Sequence, residues 1–169
     1  KIRNTSHFSA FQDAGFRCEE TFKNHVLDLD GRPEELLRTF HPSCVQRGIR
    51  KAEREGLHVI EARTLDDMRT FYKMVVETRR SKGLPPQPFR FFENLWNLLH
   101  PKGMLHVFLA HTTDRPVAGI AVGGHKSVMY YLYGGCHLEY LSYRPYHLLL
   151  WTAIQTACDL GLKKFDFGR

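Results

Sequence analysis

Residues 148–169 read LLLWTAIQTACDLGLKKFDFGR and join a buried helix to a strand. The helix opens at Pro145, runs to about Leu160 and is apolar on nearly every side, which indicates burial. Gly161 ends it, and Lys163 to Phe167 predicts a strand. A helix that connects two strands of one sheet makes a right-handed crossover, so we expect strands 127–134 and 163–167 to lie side by side and parallel.

The segments upstream of this helix predict the rest of a mixed sheet. The order from residue 57 is β-α-α-β-β-β-α-β, which predicts an α/β or α+β sheet covered by helices. Three closely spaced strands in the middle of this order indicate an antiparallel meander. Residues 1–20 show no clean period. Strands are predicted over 21–29, 58–63, 104–111, 116–123, 127–134 and 163–167, and helices over 33–40, 42–55, 65–82, 89–99 and 145–160.

Composition and charge exclude several classes of protein. The chain has 169 residues, 43 % of them hydrophobic, which is typical of one globular domain. Its longest apolar runs are about five residues, far below the roughly 20 that a membrane span needs, so no span is expected. The four cysteines form no CxxC pair, so we expect neither a metal site nor disulfides, and a cytoplasmic location.

The net charge of +6 favours anionic partners such as a phosphorylated cofactor, RNA or an acidic headgroup. Part of this charge lies on one helix, where Arg47, Arg50, Lys51 and Arg54 recur at spacings i, i+3, i+4 and i+7. These side chains form a positive stripe suited to a phosphate, a carboxylate or an RNA backbone. The stripe is explained equally well as a solvated surface without a binding role. A second basic cluster at 79–82 is also interpreted as solvated surface.

Five segments in this order resemble the FemAB-related branch of the GNAT acyltransferase fold, over residues 21–169. The resemblance implies either an aminoacyltransferase that builds peptidoglycan bridges from aminoacyl-tRNA or an N-acetyltransferase. It also implies a C-terminal GNAT-like domain over 57–169, clipped at both ends. Residues 21–56 would then be a strand and a basic helical segment linking to an absent upstream domain, with a second GNAT-like domain in the full-length chain. The segments are RGIRKAEREGL (47–57), FYKMVVETRRSKGLPPQPFRFFENL (71–95), PVAGIAV (116–122), YYLYGG (130–135) and residues 148–169.

The resemblance also implies where an acyl donor binds. In a GNAT-like sheet two parallel strands splay apart and accept the donor, and the start of the following helix faces its pyrophosphate. The loop CHLEYLSYRP (136–145) lacks the glycine-rich phosphate motif of acetyltransferases, so acyl-CoA and aminoacyl-tRNA both stay open as donors. A strand end or bulge accounts equally well for the paired glycines. The residues implied in donor binding are Tyr133, Gly134, Gly135, Arg144 and Tyr146.

Three side chains are candidates for acid–base chemistry. Asp166 lies between two phenylalanines on the last strand, so its carboxylate faces the opposite side and could accept a proton from an amine, or be satisfied structurally. His137 and Glu139 in the candidate loop are the other two. No GxSxG context surrounds a serine or cysteine, which favours direct transfer without a covalent intermediate.

Tyrosines cluster beside this loop, six of the seven falling within 130–146. Alternation places Tyr131 and Tyr133 on one face of their strand and Tyr130 on the other, and such aromatics often line a cleft. We hypothesise transfer of an acyl or aminoacyl group to a primary amine of a small molecule or cell-envelope precursor. The alternative is a non-catalytic module that binds RNA or substrate beside a missing partner domain. Expected substrate contacts are Arg47, Arg50, Lys51, Tyr131 and Arg169.

Overall fold

A six-stranded mixed sheet forms the centre of the computed structural model, which describes residues 8–17 and 23–168. The spatial order of the strands is β1-β6-β5-β4-β3-β2. Only β5 and β6 are parallel, as the crossover argument predicts, and the other described neighbours are antiparallel. The strands are β1 (His25–Asp28), β2 (His58–Glu61), β3 (Leu105–His111), β4 (Pro116–His125), β5 (Val128–Cys136) and β6 (Lys164–Gly168).

Helices cover both faces of the sheet, and the predicted order from β2 to β6 is confirmed. Helices α4 and α5 pack on one face around Phe71 and Phe92, both fully buried. Helix α6 packs on the other face with α2 and α3, where Leu149 and Phe165 are fully buried. The helices are α1 (Phe8–Asp13), α2 (Pro33–Thr39), α3 (Arg47–Arg54), α4 (Leu65–Ser81), α5 (Phe89–Leu99) and α6 (Pro145–Asp159).

Helix α4 begins at a capping box formed by Thr64 and Asp67. The hydroxyl of Thr64 accepts the Asp67 N–H at 3.2 Å, and the Asp67 carboxylate accepts the Thr64 N–H at 2.9 Å. Two donors that the first helical turn leaves unpaired are thereby satisfied. The C-terminal turns of α4 reach the same end of the sheet as Cys136, the last residue of β5, where the Thr78 hydroxyl accepts the Cys136 N–H at 3.0 Å.

Two predictions upstream of β2 need correction. The helix predicted over 42–55 starts as a π turn at Pro42–Gln46, because the His41 carbonyl accepts the N–H groups of both Val45 and Gln46. The strand predicted over 21–29 is observed only as β1, and residues 21–22 lie outside the described residues. Strand β1 pairs with β6 and α3 packs on α6, so the described part of 21–56 belongs to the same core. The proposed domain boundaries stay a prediction.

A β-bulge changes the predicted faces of the tyrosines. Tyr133 pairs with Ala121 and Tyr131 with Val122, so Leu132 is the extra residue. The bulge reverses the alternation beyond it, and Tyr131 packs towards α6 while Tyr133 packs towards α4 and α5. The prediction that Tyr131 and Tyr133 share a face is therefore wrong.

Candidate functional site

Strands β5 and β6 pair for only three residues before they part. Val128, Met129 and Tyr130 lie opposite residues 164–166. Beyond them β5 continues to Cys136, whereas β6 reaches Gly168 paired with β1. The edge of β5 between Tyr131 and Cys136 therefore faces a gap in the sheet instead of a neighbouring strand.

Asp166 lies where β5 and β6 separate, and its carboxylate accepts hydrogen bonds there. One oxygen accepts the Gly168 N–H at 2.7 Å, and the other accepts the Asn24 side-chain amide at 3.4 Å. Gly168 has a positive φ of 79°, a conformation that favours glycine. Asp166 is 6 % exposed, and its role in accepting a proton stays a prediction.

The gap is a cleft of about 480 Å³ that passes from one face of the sheet to the other. Gly134 keeps it open, because a Cβ there would collide with the Tyr131 hydroxyl and stand 3.0 Å from Cε1 of Tyr146. The walls are apolar with polar tips, which suits an extended acyl chain. The lining residues are Thr78 and Ser81 of α4, Lys82 directly after it, Tyr131 and Gly134 of β5, Leu138 and Leu141 of the loop, Tyr146 and Leu150 of α6, and Phe167 of β6.

Of the five residues implied in donor binding, Gly134 and Tyr146 line the cleft. Gly135 faces α4, where a Cβ would collide with the backbone of Val75 and Met74, so its missing side chain serves helix packing. Tyr133 packs edge-on against Phe92, with ring centroids 5.1 Å apart, behind the cleft wall. Arg144 is exposed at the start of α6.

Burial keeps the polar groups of the cleft protonated. Burial raises the pKa of Tyr131. Burial also raises the pKa of Tyr146, with added repulsion from Tyr131 and Cys136, while a hydrogen bond with Thr78 opposes this second shift. Burial together with the charge of Glu77 raises the pKa of the Cys136 thiol to about 11. Cys136 is therefore a thiol at neutral pH, which disfavours it as a nucleophile.

A carboxylate–imidazole pair lies at the end of β5, formed by Glu77 and His137. The sequence predicted His137 but not Glu77. Oε2 of Glu77 is 2.6 Å from Nδ1 of His137, and Oε1 accepts the Leu138 N–H at 3.0 Å. Burial alone would raise the pKa of Glu77, but these hydrogen bonds together lower it below its usual value. Glu77 is 60 positions from His137, and no local pattern joins them.

Glu139 points away from this pair. Its carboxylate forms an ion pair with Arg115 across the β3–β4 turn, and both side chains are more than half exposed. The Arg115 guanidinium also lies over the Tyr140 ring, 5.5 Å from its centroid. The cleft is lined by Leu138 and Leu141 from the same turn, so Glu139 is on its outer side.

The basic stripe lies on α3, beside the start of α6. Gly48 of α3 contacts the ring of His147, which places the stripe next to this helix end. Arg47 and Arg50 are exposed, and Arg50 donates to the Gln46 side chain at 3.0 Å. Lys51 lies 3.8 Å from the Glu55 carboxylate, also on the surface. Arg169, the remaining predicted substrate contact, lies outside the described residues.

The acetyltransferase (GNAT) domain model matches residues 43–169, about three quarters of the chain. The chain belongs to the GNAT acetyltransferase family. No curated protein matches this GNAT domain. The family match over residues 43–169 makes this an acyltransferase domain. Its six-stranded mixed sheet, in which the parallel pair β5 and β6 separates, is the GNAT-like fold.

Solved structures show the same fold at low identity. The crystal structure of FemX superposes with a TM-score of 0.82 at 16 % identity, covering 99 % of this chain and 61 % of FemX. The C-terminal domain assigned to a lysylphosphatidylglycerol synthetase from Agrobacterium fabrum gives 0.64 at 13 %, covering 96 % and 51 %. L-PGS from Bacillus licheniformis gives 0.63 at 15 %, covering 96 % and 49 %. This GNAT domain thus spans about three fifths of FemX and about half of the other two chains.

GNAT domains typically use acyl-CoA. Whether the diphosphate of acyl-CoA can bind at the start of α6 depends on the backbone N–H groups there. Pro145 has no N–H, and those of Arg144 and His147 are already bonded to the carbonyls of Leu141 and Arg144. The preceding loop is coiled into a 3₁₀ turn at Leu138–Tyr143. These N–H groups are therefore not offered to a diphosphate, although the cleft itself suits an acyl chain.

Among the described residues, no helix combines the length and apolarity that a membrane crossing needs. Within 8–17 and 23–168, no group of three or more His, Cys, Asp or Glu side chains is gathered as metal ligands.

Proposed function

We propose that this GNAT domain transfers an acyl or aminoacyl group directly to a primary amine of a small molecule or cell-envelope precursor, with the donor in the cleft between β5 and β6. The observation that carries the proposal is the gap itself, because an extended donor can lie along the unpaired edge of β5 as a further strand would. Tyr131 and Tyr146 form part of its walls, and the missing side chain of Gly134 leaves space for the donor.

The base in this proposal is His137. Glu77 accepts the Nδ1 hydrogen and so fixes the neutral tautomer in which Nε2 is the proton acceptor. Within the described residues Nε2 makes no hydrogen bond, so it is available to an incoming amine. The amine nitrogen attacks the acyl carbonyl, forming a C–N bond while the donor's C–S or C–O bond breaks. His137 takes the amine proton and returns it to the departing sulfur or oxygen.

The donor in this proposal is acyl-CoA or aminoacyl-tRNA, and the start of α6 favours the second. The N–H groups of Arg144 and His147 are bonded within the chain and Pro145 has none, whereas Arg47, Arg50 and Lys51 beside this helix end present positive charge to a nucleic-acid backbone. The fold shared with the C-terminal domain assigned to a lysylphosphatidylglycerol synthetase, whose name includes a lysyl group, agrees with an aminoacyl donor. A second GNAT-like domain in the full-length protein and a cytoplasmic location belong to the same proposal.

The test is a label-transfer assay with two donors. The chain is incubated with radiolabelled acetyl-CoA or with tRNA charged with a labelled amino acid, together with a set of primary amines, and labelled amide is measured. We expect amide from at least one donor. We also expect Glu77→Gln to lower kcat with little change in the KM for the donor, because the tautomer is no longer fixed. Lys102→Ala, at the opposite end of the sheet, is the control and should match the wild type.

Absence of amide from both donors would contradict transfer. If charged and uncharged tRNA then bound with equal, salt-sensitive affinity, the exposed stripe on α3 would point to the non-catalytic RNA-binding alternative.

A further inference from the structure

A second groove, on the outer face of α4, is not used by the donor in the proposal above. It measures about 710 Å³ and opens to solvent beside the cleft, with which it shares Ser81 and Leu138. The two hollows therefore meet at the C-terminal turns of α4. The lining residues are Tyr72, Lys73, Val76, Glu77, Arg80, Ser81, Pro86 and Leu138.

The walls of this groove are fixed by hydrogen bonds. The Tyr72 hydroxyl donates to the Gln87 carbonyl at 2.8 Å, and Nε of Arg79 donates to the Pro85 carbonyl at 2.9 Å. These two contacts hold the proline-rich segment against α4. On the other side, the Leu138 N–H is held by Glu77. A groove whose walls are already held costs a ligand little ordering free energy.

The charges in the groove are arranged in a line. Lys73, Glu77 and Arg80 lie within seven residues of one helix face, so the two cations are about 10 Å apart along the axis. Lys73 and Arg80 form no ion pair with any described residue, unlike Arg69, which binds Asp66 at 2.6 Å. Glu77, between the two cations along the helix, is the carboxylate that holds His137, so the proposed base lies beside the centre of this pattern.

We propose that this groove binds the acceptor, an amine that also carries a phosphate or a carboxylate. Lys73 and Arg80, which flank Glu77 along the helix, attract the anionic group, while the amine reaches the Glu77–His137 pair where the groove meets the cleft. The inference rests on the proposed function and adds the substrate class. It also assigns a binding role to Arg80, which the sequence had placed on a solvated surface.

The test measures binding without any donor, by calorimetric titration of the chain with three probes. Phosphoethanolamine and β-alanine carry a phosphate and a carboxylate, and ethanolamine carries no anion. We expect at least one anionic amine to bind about tenfold more tightly than ethanolamine, with an affinity that falls as salt rises. The two anionic probes distinguish a phosphate from a carboxylate.

Variants assign the binding to this groove. The double variant Lys73→Gln/Arg80→Gln should weaken the preferred probe about tenfold, while Lys102→Gln should leave its affinity unchanged. Retention of the wild-type affinity by the double variant, or equal affinity for ethanolamine, would overturn the inference. Thermal unfolding of each variant verifies that it is folded, which is expected since both side chains are exposed.

Failure of this inference and failure of the proposed function give different results. Amide formation with ethanolamine as well as with anionic amines would leave acyl transfer standing and refute the anion site. Tight, variant-sensitive binding of an anionic amine without amide from either donor would leave the groove standing and refute the transfer.

Discussion

The two adjacent glycines of β5 allow a test in which the same substitution gives two different results. At Gly135 an added Cβ would meet the backbone of α4, with the Met74 carbonyl oxygen at 2.7 Å. A helix backbone cannot rotate away, so α4 must separate from the sheet. We expect Gly135→Ala to cost about 3 kcal/mol, at the upper end of typical overpacking, and to lower Tm by about 6–12 °C.

At Gly134 the added Cβ would meet the hydroxyl end of Tyr131, which can move into the cleft. The expected loss of stability is therefore small, about 1 kcal/mol or less, and the effect falls on donor binding instead. A methyl group in an apolar pocket changes affinity by about tenfold or more, so we expect the KM for the donor to rise by about that factor.

Gly124→Ala in β4 is the matched control, because the nearest atom to its Cβ is Leu162 Cδ1 at 3.9 Å. It should unfold at the wild-type temperature or slightly above. Thermal unfolding by circular dichroism measures all three variants. If Gly135→Ala unfolded within about 2 °C of Gly124→Ala, a difference below 1 kcal/mol, the close approach of α4 to β5 would be refuted.

Three further predictions concern other parts of the chain. Thr64→Ala removes the cap of α4 and should cost about 1 kcal/mol, seen as a Tm lower by about 2–4 °C; an unchanged Tm would mean that the capping box is not formed. Burial and, secondarily, the charge of Arg144 lower the pKa of His147, so the unfolded state takes up its proton first as pH falls below about 6.5. Stability should therefore decline from that pH downwards, and His147→Asn should reduce the slope of Tm against pH, a result that an equal slope would contradict. Cys136→Ala should retain transfer activity per folded molecule, whereas loss of activity in a folded variant would indicate a covalent intermediate.

The fold could be predicted because its signals are local. The apolar helix at 145–159, the short spacing of the central strands and the glycines that end helices each fix an element without knowledge of its neighbours. The parallel pairing of β5 and β6 followed from a general rule about crossovers.

The site was harder to predict because it depends on contacts between distant residues. The bulge at Leu132 depends on how β5 fits β4, and it moved Tyr133 away from the cleft. Glu77 and His137 meet only because α4 ends beside the end of β5. Neither charge nor periodicity predicts the groove on α4. Arg79 and Arg80 are neighbours in sequence, but only Arg79 holds the proline-rich segment, and the sequence does not distinguish these two roles.

The central claim is that an acyl donor lies in the gap between β5 and β6. Amide chemical shifts of the isotope-labelled chain test it directly, with acetyl-CoA and a stable aminoacyl-adenosine analogue titrated separately. We expect at least one of the two compounds to shift the amides of Tyr131, Gly134 and Tyr146 in a saturable way, with those of β2 and β3 unchanged. Saturation without shifts at these three residues, or no response to either compound, would contradict it.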